Sequence, residues 1–289
     1  MVDKPRGVTS HTVVAQARRL FGRKDVGHAG TLDPMATGVL LLLVGQATKL
    51  SGYLTADSKR YAAQISFGRA TTTLDAEGET TAEAEPSPEQ LTQGRVEAAL
   101  EAERARTEQV PPAVSAIKVQ GERAYHLARQ GNAPELSPRA VRVLGLTLKE
   151  LAPPLLECEL WVSKGYYVRS LARDLGERLG LPAHLSGLRR LASGPFRIEQ
   201  ACAWPAPQPP PLLGLAEAAA SVLPACRLTA DAVTRARQGK PLSPADFTEL
   251  PSEAPDQLGA WLTPEGELVA IGSAAGELRV VRGFNAEPA

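Results

Sequence analysis

The sequence predicts a protein of the α+β class, with a large first domain and a small second one. Apolar runs of strand length and amphipathic helical patterns both occur before residue 204. A proline-rich connector, Pro205 to Pro211, separates this part from a last segment in which short strand patterns predominate. A chain of 289 residues is long enough for such a pair of domains. We therefore expect domains at 1–203 and 226–289, joined at 204–225 by the connector and a short helix.

The predicted helices and strands alternate irregularly along the chain. A helix should run from about Thr12 to Phe21, after an N-cap at Thr9 or Ser10. The apolar run 39–44 and the alternating run 62–68 predict strands. The remaining predictions are a helix from Ser87-Pro88 to about Arg104, a buried strand over 155–163 carrying Cys158 and Trp161, a helix from Arg169 to Leu179, short helices near 215–222 and 231–237, and strands near 261–262, 267–272 and 278–281.

Composition excludes several classes of protein. No run of about twenty apolar residues could span a membrane, and no apolar segment follows the first six residues as a signal peptide would require. Cys158, Cys202 and Cys226 lie too far apart for a metal motif or a disulfide framework. This cysteine usage indicates a reducing, cytoplasmic compartment, and no residue pattern suggests a metal or another cofactor.

The formal net charge is zero, but the charges are segregated along the chain. Residues 1–75 carry ten Lys and Arg against five Asp and Glu, and residues 160–200 carry seven against three. Residues 76–110 and 241–289 are acidic. If the fold joins the two basic segments, they could form one surface for a polyanion such as RNA. Alternatively, the charge blocks only solvate separate faces.

The stretch from Gly27 to Gly38 combines three glycines with a single acidic residue, Asp33. Glycine permits positive φ and close backbone approach, and Pro34 restricts the backbone of Asp33 to extended conformations. A carboxylate held on a rigid loop before a buried strand suits positioned chemistry. From these residues alone, an Asp before a Pro could equally be a turn residue or a helix N-cap.

This stretch reads G-H-x-G-x-L-D-P-x-A-x-G and resembles the catalytic motif of the TruB family of tRNA pseudouridine synthases at every fixed position. The resemblance covers residues 3 to about 200 and, more weakly, 226–289. In the family a strand precedes the first motif, and only two residues precede Asp3 here, which leaves open whether that edge strand forms. The other matching segments are D-K-P-x-G-x-T-S at 3–10, Lys-Arg-Tyr at 59–61, T-x-T-x-D at 71–75, P-P-x-x-S-A-x-K-x-x-G at 111–121, S-K-G-x-Y-x-R at 163–169 and L-R-R-x-x-x-G-x-F at 188–196.

The resemblance implies a fold and an activity. The fold would be that of the pseudouridine synthases, with a mixed, mainly antiparallel sheet flanked by helices and a small C-terminal β-barrel related to the PUA domain. An RNA-binding insertion is expected at about 110–140. The activity would be isomerisation of uridine 55 to pseudouridine in the TΨC loop of tRNA. The enzyme would need no cofactor, metal or guide RNA, and we expect a monomer that contacts the T stem-loop.

The resemblance also implies roles for individual residues. Asp33 would be the catalytic carboxylate, Tyr61 would stack on the target base, and Arg169 would pair with Asp33. An Arg in the first turn of a helix is disfavoured by the helix dipole, so Arg169 should have a specific partner. His28 would support the space that the flipped base vacates, and Leu188 would form an apolar wall of the uracil pocket. Two further substrate-binding candidates are Lys4 and Tyr166.

Each assignment has a structural alternative in the residues themselves. A Tyr at a strand start commonly packs in a core, a lone His commonly makes a structural hydrogen bond, and Arg169 could form a salt bridge elsewhere. Arg189 and Arg190 could contact phosphate or be ordinary surface charges. The basic residues around the insertion, which suit phosphate contacts, are Lys118, Arg123, Arg129, Arg139 and Arg142.

Three other functions remain open at this point. The chain could be a catalytically silent tRNA-binding or folding factor, but such a protein has no need for the carboxylate of Asp33. It could be a pseudouridine synthase acting on another RNA, including the guide-RNA type, although long basic tails are missing. A nucleotide-binding enzyme is disfavoured because the glycine loop has no phosphate-binding Lys.

Overall fold

The computed structural model describes residues 1–55, 58–115, 117–119, 122–124, 127, 134, 136–251, 258–274 and 276–285. Its helices are α1 (Ser10–Leu20), α2 (Gln93–Arg104), α3 (Val168–Leu179), α4 (Leu215–Ala220) and α5 (Ala230–Arg237). Its strands are β1 (Val2–Lys4), β2 (Val26–Ala29), β3 (Thr37–Val44), β4 (Ser58–Phe67), β5 (Arg69–Thr71), β6 (Thr80–Glu83), β7 (Glu108–Gln109), β8 (Lys118–Val119), β9 (Glu122–Arg123), β10 (Arg139–Ala140), β11 (Val143–Ala152), β12 (Leu155–Ser163), β13 (Ala183–Ser193), β14 (Phe196–Arg197), β15 (Cys202–Ala203), β16 (Ala225–Leu228), β17 (Phe247–Glu249), β18 (Leu258–Leu262), β19 (Leu268–Ser273) and β20 (Val280–Gly283).

A mixed sheet of nine strands forms the centre of the molecule. Its main path runs β11-β12-β4-β13-β3-β1-β15, with β14 on β13 and β2 on β3. Most neighbours are antiparallel, and the β13–β3 and β1–β15 pairs are parallel. The α+β class and the mixed, mainly antiparallel sheet are therefore confirmed. The strand beside β3 is formed by the first motif itself, since Val2 to Lys4 pair with Leu40 to Gly38.

One face of the sheet carries the hydrophobic core. Side chains alternate between faces along a strand, and Tyr61, Ala63, Ile65 and Phe67 of β4 all lie on the buried face. Helices α2 and α3 pack over this face. Helix α3 buries four apolar residues at helical spacing, which are Val168, Leu171, Leu175 and Leu179.

Helix α1 also follows its sequence pattern. Thr9 is the N-cap, because its hydroxyl accepts a hydrogen bond from the backbone N–H of Thr12. Val13, Val14 and Ala17 are buried, as the apolar spacing predicts.

Two predicted elements were wrong in detail. The helix expected from Ser87 begins at Gln93, because residues 87–91 form a turn in which the side chain of Gln90 accepts from the Ser87 backbone N–H and donates to the Gly180 carbonyl. Strand β12 is buried on only one face. Cys158 lies in the core, whereas Trp161 is 40% exposed.

The last part of the chain forms a second sheet of five strands, in the order β17-β16-β18-β19-β20. Ile271 and Phe284 from this part share an apolar cluster with Leu41 and Leu43 of β3, so the two sheets pack together. The predicted short helices near 215 and 231 are present. Closure of the five strands into a barrel and the limits at 203 and 226 stay predictions. Within the described ranges, none of the helices is long and apolar enough to cross a membrane.

Gly38, the last glycine of the Asp33 motif, lies where β3 meets β13. Its φ is +102°, and a Cβ atom built there would lie 2.2 Å from the carbonyl oxygen of Arg190. The parallel pairing of Gly38 with Arg190 therefore requires a residue without a side chain.

We predict that Gly38→Ala lowers the free energy of unfolding by about 2–5 kcal/mol, since backbone strain and steric overlap act together. Gly22→Ala is the matched control, because Gly22 also has a positive φ of +61° but has open space around its Cβ position. The control should cost about 1 kcal/mol. Urea unfolding of both variants measures the difference. Equal losses in the free energy of unfolding would show that steric overlap with β13 contributes nothing beyond the backbone strain.

Candidate active site

Asp33 lies in the turn that joins the antiparallel strands β2 and β3. The backbone N–H of Ala36 donates to the carbonyl of Asp33 over 3.1 Å, which closes a tight turn around Pro34. The side chain of Asp33 keeps 35% of its surface exposed. A reactant can therefore reach this carboxylate from one side.

Arg169 occupies the other side of the carboxylate. Its Nε lies 2.9 Å from Oδ2 of Asp33, in an ion pair rather than an aligned hydrogen bond. Arg169 is nearly buried at the first turn of α3 and donates from Nη1 to the Thr73 carbonyl (2.9 Å) and from Nη2 to the Val114 carbonyl (3.0 Å). A planar guanidinium with these contacts has one orientation, and it fixes the direction of the Asp33 carboxylate.

Asp75 is a second carboxylate beside Arg169, with 3.6 Å between its Oδ2 and the Arg169 Nε. The T-x-T-x-D segment orients it. The Thr73 hydroxyl donates to Oδ1 of Asp75 (2.6 Å), and the Thr71 hydroxyl donates to the Asp75 carbonyl (2.6 Å). In the sequence this segment is one of the matching motifs, with no role assigned to Asp75. The signal that could have found its role is the spacing of its two threonines ahead of a buried Asp.

The first motif holds the loop that carries Asp33. The Ser10 hydroxyl donates to the Leu32 carbonyl (3.0 Å) and accepts from the Leu32 N–H (2.9 Å). The Gly7 N–H donates to the Pro34 carbonyl over 2.8 Å. Both neighbours of Asp33 are thus hydrogen bonded to the segment 3–10.

Lys4 belongs to this loop-holding set rather than to a substrate surface. Its side chain is fully buried, and Nζ donates to the carbonyls of Val8 (2.7 Å), Pro5 (2.9 Å) and Pro34 (3.2 Å). The prediction that Lys4 binds substrate is therefore wrong, because no part of the ammonium group faces solvent. Burial lowers the pKa of Lys4 to about 8, and the nearby carboxylates of Glu77 and Asp33 oppose this shift.

Tyr61 and Leu188 lie on the same face of the sheet. In the register of β4 and β13, Tyr61 pairs with Arg190 and Leu188 pairs with Ala63, so these side chains project together. Burial raises the pKa of Tyr61, the Arg190 guanidinium opposes this, and Asp33 adds to it.

His28 is half-buried on β2, and its ring makes an edge-to-face contact with His11 at 5.5 Å. Its Nδ1 is buried with no hydrogen-bond partner in the described part of the chain. Burial lowers the pKa of His28, and His11 and Arg190 lower it further. His28 is therefore neutral at pH 7 and adds no positive charge to the site.

Tyr166, a predicted substrate-binding residue, is a core residue instead. Its hydroxyl donates to Oε1 of Glu103 over 2.8 Å, and Glu103 is fully buried and also binds Arg106. The fixed Tyr of S-K-G-x-Y-x-R is Tyr167, one position later, and the spacing of the motif could have identified it. Burial raises the pKa of Tyr167. The Arg169 guanidinium opposes this rise, and the Asp33 carboxylate adds to it.

The start of the predicted insertion is attached to α3. The side chain of Gln109 accepts from the Tyr167 N–H (2.8 Å) and donates to the Tyr167 carbonyl (3.2 Å). The Ser170 hydroxyl donates to the Val110 carbonyl over 2.9 Å. Beyond residue 115, most of the segment lies outside the described residues, including Tyr125 and 128–131, as do the side chains of Lys118 and Arg123.

The fold joins the two basic segments, and some of their cations lie inside the protein rather than on its surface. Strand β13 pairs with β3 and β4, which brings 160–200 against 1–75. Arg190 is fully buried, so the suggestion that it contacts phosphate or is a surface charge is wrong. Arg189 points to the opposite face and forms a salt bridge with Asp3 at 2.6 Å. In the described ranges, no cluster of His, Cys, Asp and Glu could hold a metal.

The comparisons with known families agree with this geometry. The family model described as TruB family pseudouridylate synthase, N-terminal domain, matches residues 18–168. The chain belongs to the TruB family. The model of the tRNA pseudouridylate synthase B C-terminal domain matches residues 169–205, so the boundary of the two TruB models falls at Arg169.

The relatives extend the match over most of the TruB chain. A protein of Thermobifida fusca named tRNA pseudouridine synthase B is 45% identical over 254 residues, which are 85% of this chain and 86% of that protein. One of the same name from Cutibacterium acnes is 43% identical and covers 94% of this chain and 91% of its own length. A solved Cbf5-Nop10-Gar1 complex contains a chain with a TM-score of 0.73 at 24% identity, covering 98% of this chain and 83% of that one. This last likeness shows the pseudouridine synthase fold alone.

The two adjacent tyrosines of the TruB motif at 163–169 should differ in phenotype. Tyr166→Phe removes a donor from buried Glu103 and should cost about 1–3 kcal/mol of stability, with turnover unchanged at temperatures where the variant is folded. Tyr167→Phe should leave stability nearly unchanged and lower turnover by about 10- to 100-fold, the size expected if the hydroxyl of this fixed motif tyrosine binds a charged group during the reaction. Thermal unfolding and pseudouridine formation measured on both variants separate the roles. The reverse pattern would assign the substrate-facing role to Tyr166.

The buried ammonium group of Lys4 gives a pH dependence of stability. Its pKa in the folded chain is about 8, below the unfolded value near 10.5. Between these values the unfolded chain binds more protons, so the Lys4 contribution should raise the free energy of unfolding as pH rises. Relative to Lys4→Met, the wild type should gain about 2–4 kcal/mol between pH 8 and 10.5. Urea unfolding of both proteins from pH 7 to 10.5 measures this difference, and a constant difference would contradict the lowered pKa.

Proposed function

We propose that this protein isomerises uridine 55 of tRNA to pseudouridine, with Asp33 as the catalytic carboxylate. The observation that carries the proposal is the Asp33–Arg169 ion pair of 2.9 Å, in which Asp33 stays open to a reactant and Arg169 is buried. The family membership and relatives named tRNA pseudouridine synthase B at 43–45% identity support the reaction and the tRNA substrate.

The target base has to leave the stacked loop of the RNA before Asp33 can reach its sugar. Flipping the nucleotide costs unstacking energy, which contacts in the pocket must offset. In our proposal Tyr61 supplies a stacking face, Leu188 supplies an apolar wall, and His28 supports the space that the base vacates. The shared face of Tyr61 and Leu188 supports this arrangement.

Asp33 acts on the ribose by one of two routes. In the first, a carboxylate oxygen bonds to C1′ as the C1′–N1 bond breaks, and the electron pair of that bond goes to N1 of the uracil. In the second, the carboxylate takes the C2′ proton as C1′–N1 breaks, which forms a glycal. In both, the uracil then rotates to present C5 to C1′. In the first route C5 bonds to C1′ as the bond between C1′ and the carboxylate breaks, and in the second it bonds as the carboxylate returns its proton to C2′. The proton on C5 is lost to solvent, and N1 takes one up. Both routes require an ionised carboxylate, and the neighbouring guanidinium of Arg169 favours that form.

The remaining features of the proposal concern the partner. The enzyme would act as a monomer in the cytoplasm on the T stem-loop of tRNA and would need no guide RNA. The segment 108–115 would carry the RNA-binding insertion, and its attachment to α3 places it next to Arg169. Cations on such an insertion would bind phosphates and position the loop.

We predict that Asp33→Asn lowers turnover by at least about 10³-fold while tRNA affinity stays within about threefold, because the amide keeps the shape of the side chain but cannot act as nucleophile or base. The measurement is tritium release from a tRNA transcript labelled at uracil C5, with affinity from filter binding. Asp25→Asn is the control, since Asp25 is an exposed residue paired only with Arg23 in the described part of the chain.

The outcomes separate the competing functions. Release that is confined to uridine 55 supports the proposal, and sequencing of the modified transcript locates the site. Tight binding of tRNA by the wild type without release would instead support a silent binding factor. Release from another RNA, or only after addition of a guide RNA, would overturn the substrate assignment. Substantial activity of Asp33→Asn would overturn the role of Asp33.

A further inference from the structure

Arg190 is a completely buried cation on β13. An ionised guanidinium in a protein interior is costly unless its donors are paired. Its Nε donates to the carbonyl of Val39 (2.7 Å), Nη2 to that of Gly30 (2.8 Å) and Nη1 to that of Thr31 (3.3 Å). All three acceptors are backbone carbonyl groups.

These carbonyl groups bracket the candidate catalytic residue. Gly30 and Thr31 precede Asp33, and Val39 follows it in β3. The planar guanidinium of Arg190 thus connects the segment before the turn with the strand after it. Gly30 has a φ of +78°, and a Cβ atom there would lie 3.4 Å from Nη1 of Arg190, so this glycine lets the guanidinium approach the loop backbone.

The same guanidinium is next to Tyr61. Arg190 and Tyr61 are paired residues of adjacent strands, and their side chains project from the same face of the sheet. The cation opposes the rise that burial causes in the pKa of the Tyr61 hydroxyl. Arg190 is therefore in contact with the loop of Asp33 and close to the ring proposed to stack on the base.

We propose that Arg190 is a positioning residue, which sets the distance and orientation between the Asp33 carboxylate and the Tyr61 ring. The inference rests on the function proposed above. Asp33 must reach the ribose of a nucleotide whose base lies on Tyr61, so the two side chains have to be held relative to each other. Misplacement of a reacting group by about 1 Å can cost a factor of about 10² in rate.

Arg189 offers a matched control, because it is the preceding residue on the same strand. Its side chain points to the other face of the sheet, forms a salt bridge with Asp3 and is 41% exposed. An Arg→Lys change at either position keeps the charge and removes the guanidinium fork. At Arg190 this change leaves one ammonium group in place of a fork that reaches three carbonyls.

The first test is kinetic. Single-turnover pseudouridine formation and tRNA affinity are measured for the wild type, Arg190→Lys and Arg189→Lys at a temperature where unfolding curves show each to be native. We expect Arg190→Lys to lower the rate per folded molecule by about 10²-fold with affinity within about threefold. Arg189→Lys should match the wild type. A merely structural Arg190 would lower the melting temperature and leave the rate per folded molecule unchanged, and that result would overturn the proposal.

The second test does not depend on activity. Hydrogen exchange of a peptide covering residues 28–38 should be at least about tenfold faster in Arg190→Lys than in the wild type or Arg189→Lys, because the loop loses its fixed hydrogen bonds. Unchanged exchange would overturn the proposal even if tRNA proved not to be the substrate. A wild type that forms no pseudouridine would refute the proposed function alone.

If Arg190→Lys fails to fold, Gly30→Ala replaces it. The added methyl group would lie in van der Waals contact with Nη1 of Arg190 at 3.4 Å, and the φ of +78° would strain the backbone that carries the Gly30 carbonyl, while the charge and the strand stay in place. We expect the same loss of rate at retained affinity, and faster exchange in the same peptide. Wild-type rate and exchange in a folded Gly30→Ala protein would overturn the positioning role.

Discussion

The active-site loop depends on hydrogen bonds from buried cations to its backbone carbonyl groups. Lys4 holds the carbonyl of Pro34 on one side of Asp33, and Arg190 holds those of Gly30 and Thr31 on the other. Because carbonyl groups rather than carboxylates satisfy both cations, neither forms an ion pair with the side chain of Asp33. The guanidinium of Arg169 can then pair with Asp33 and determine its direction.

Arg169 also connects the carboxylate to the segment that begins the insertion. Its Nη2 group donates to the Val114 carbonyl, while its Nε group faces Asp33. A rigid guanidinium cannot rotate to improve one of these contacts without weakening the other. Displacement of residue 114 by bound RNA would therefore change the position of the Arg169 guanidinium relative to the Asp33 carboxylate. The geometry couples the proposed RNA-binding segment to the Asp33 carboxylate through a single side chain.

Much of the fold follows from local patterns, and the orientation of charged side chains does not. The apolar run of β3 and the amphipathic pattern of α3 predicted these elements closely, because burial of an apolar face dominates their stability. Arg189 and Arg190 are adjacent residues of the same type, so the sequence alone does not distinguish them. Only the register of β13 against β4 decides which side chain points inward. Lys4 was misassigned because a lysine near a glycine turn is normally exposed, and the local sequence does not reveal that this one is buried. Tyr166 was chosen over Tyr167, although the motif spacing distinguishes them.

The burial of these cations changes what the charge pattern means for RNA binding. Lys4, Arg169 and Arg190 belong to the two basic segments of the sequence, yet all three are inside and serve the loop. Because they are inside, none of the three can contact a phosphate group directly. Affinity for a polyanion has to come from cations that remain exposed, such as Arg6 before α1 and Arg19 within it, together with those of the insertion. The buried cations of the basic segments therefore hold the site in place, and only their exposed cations are available to contact RNA.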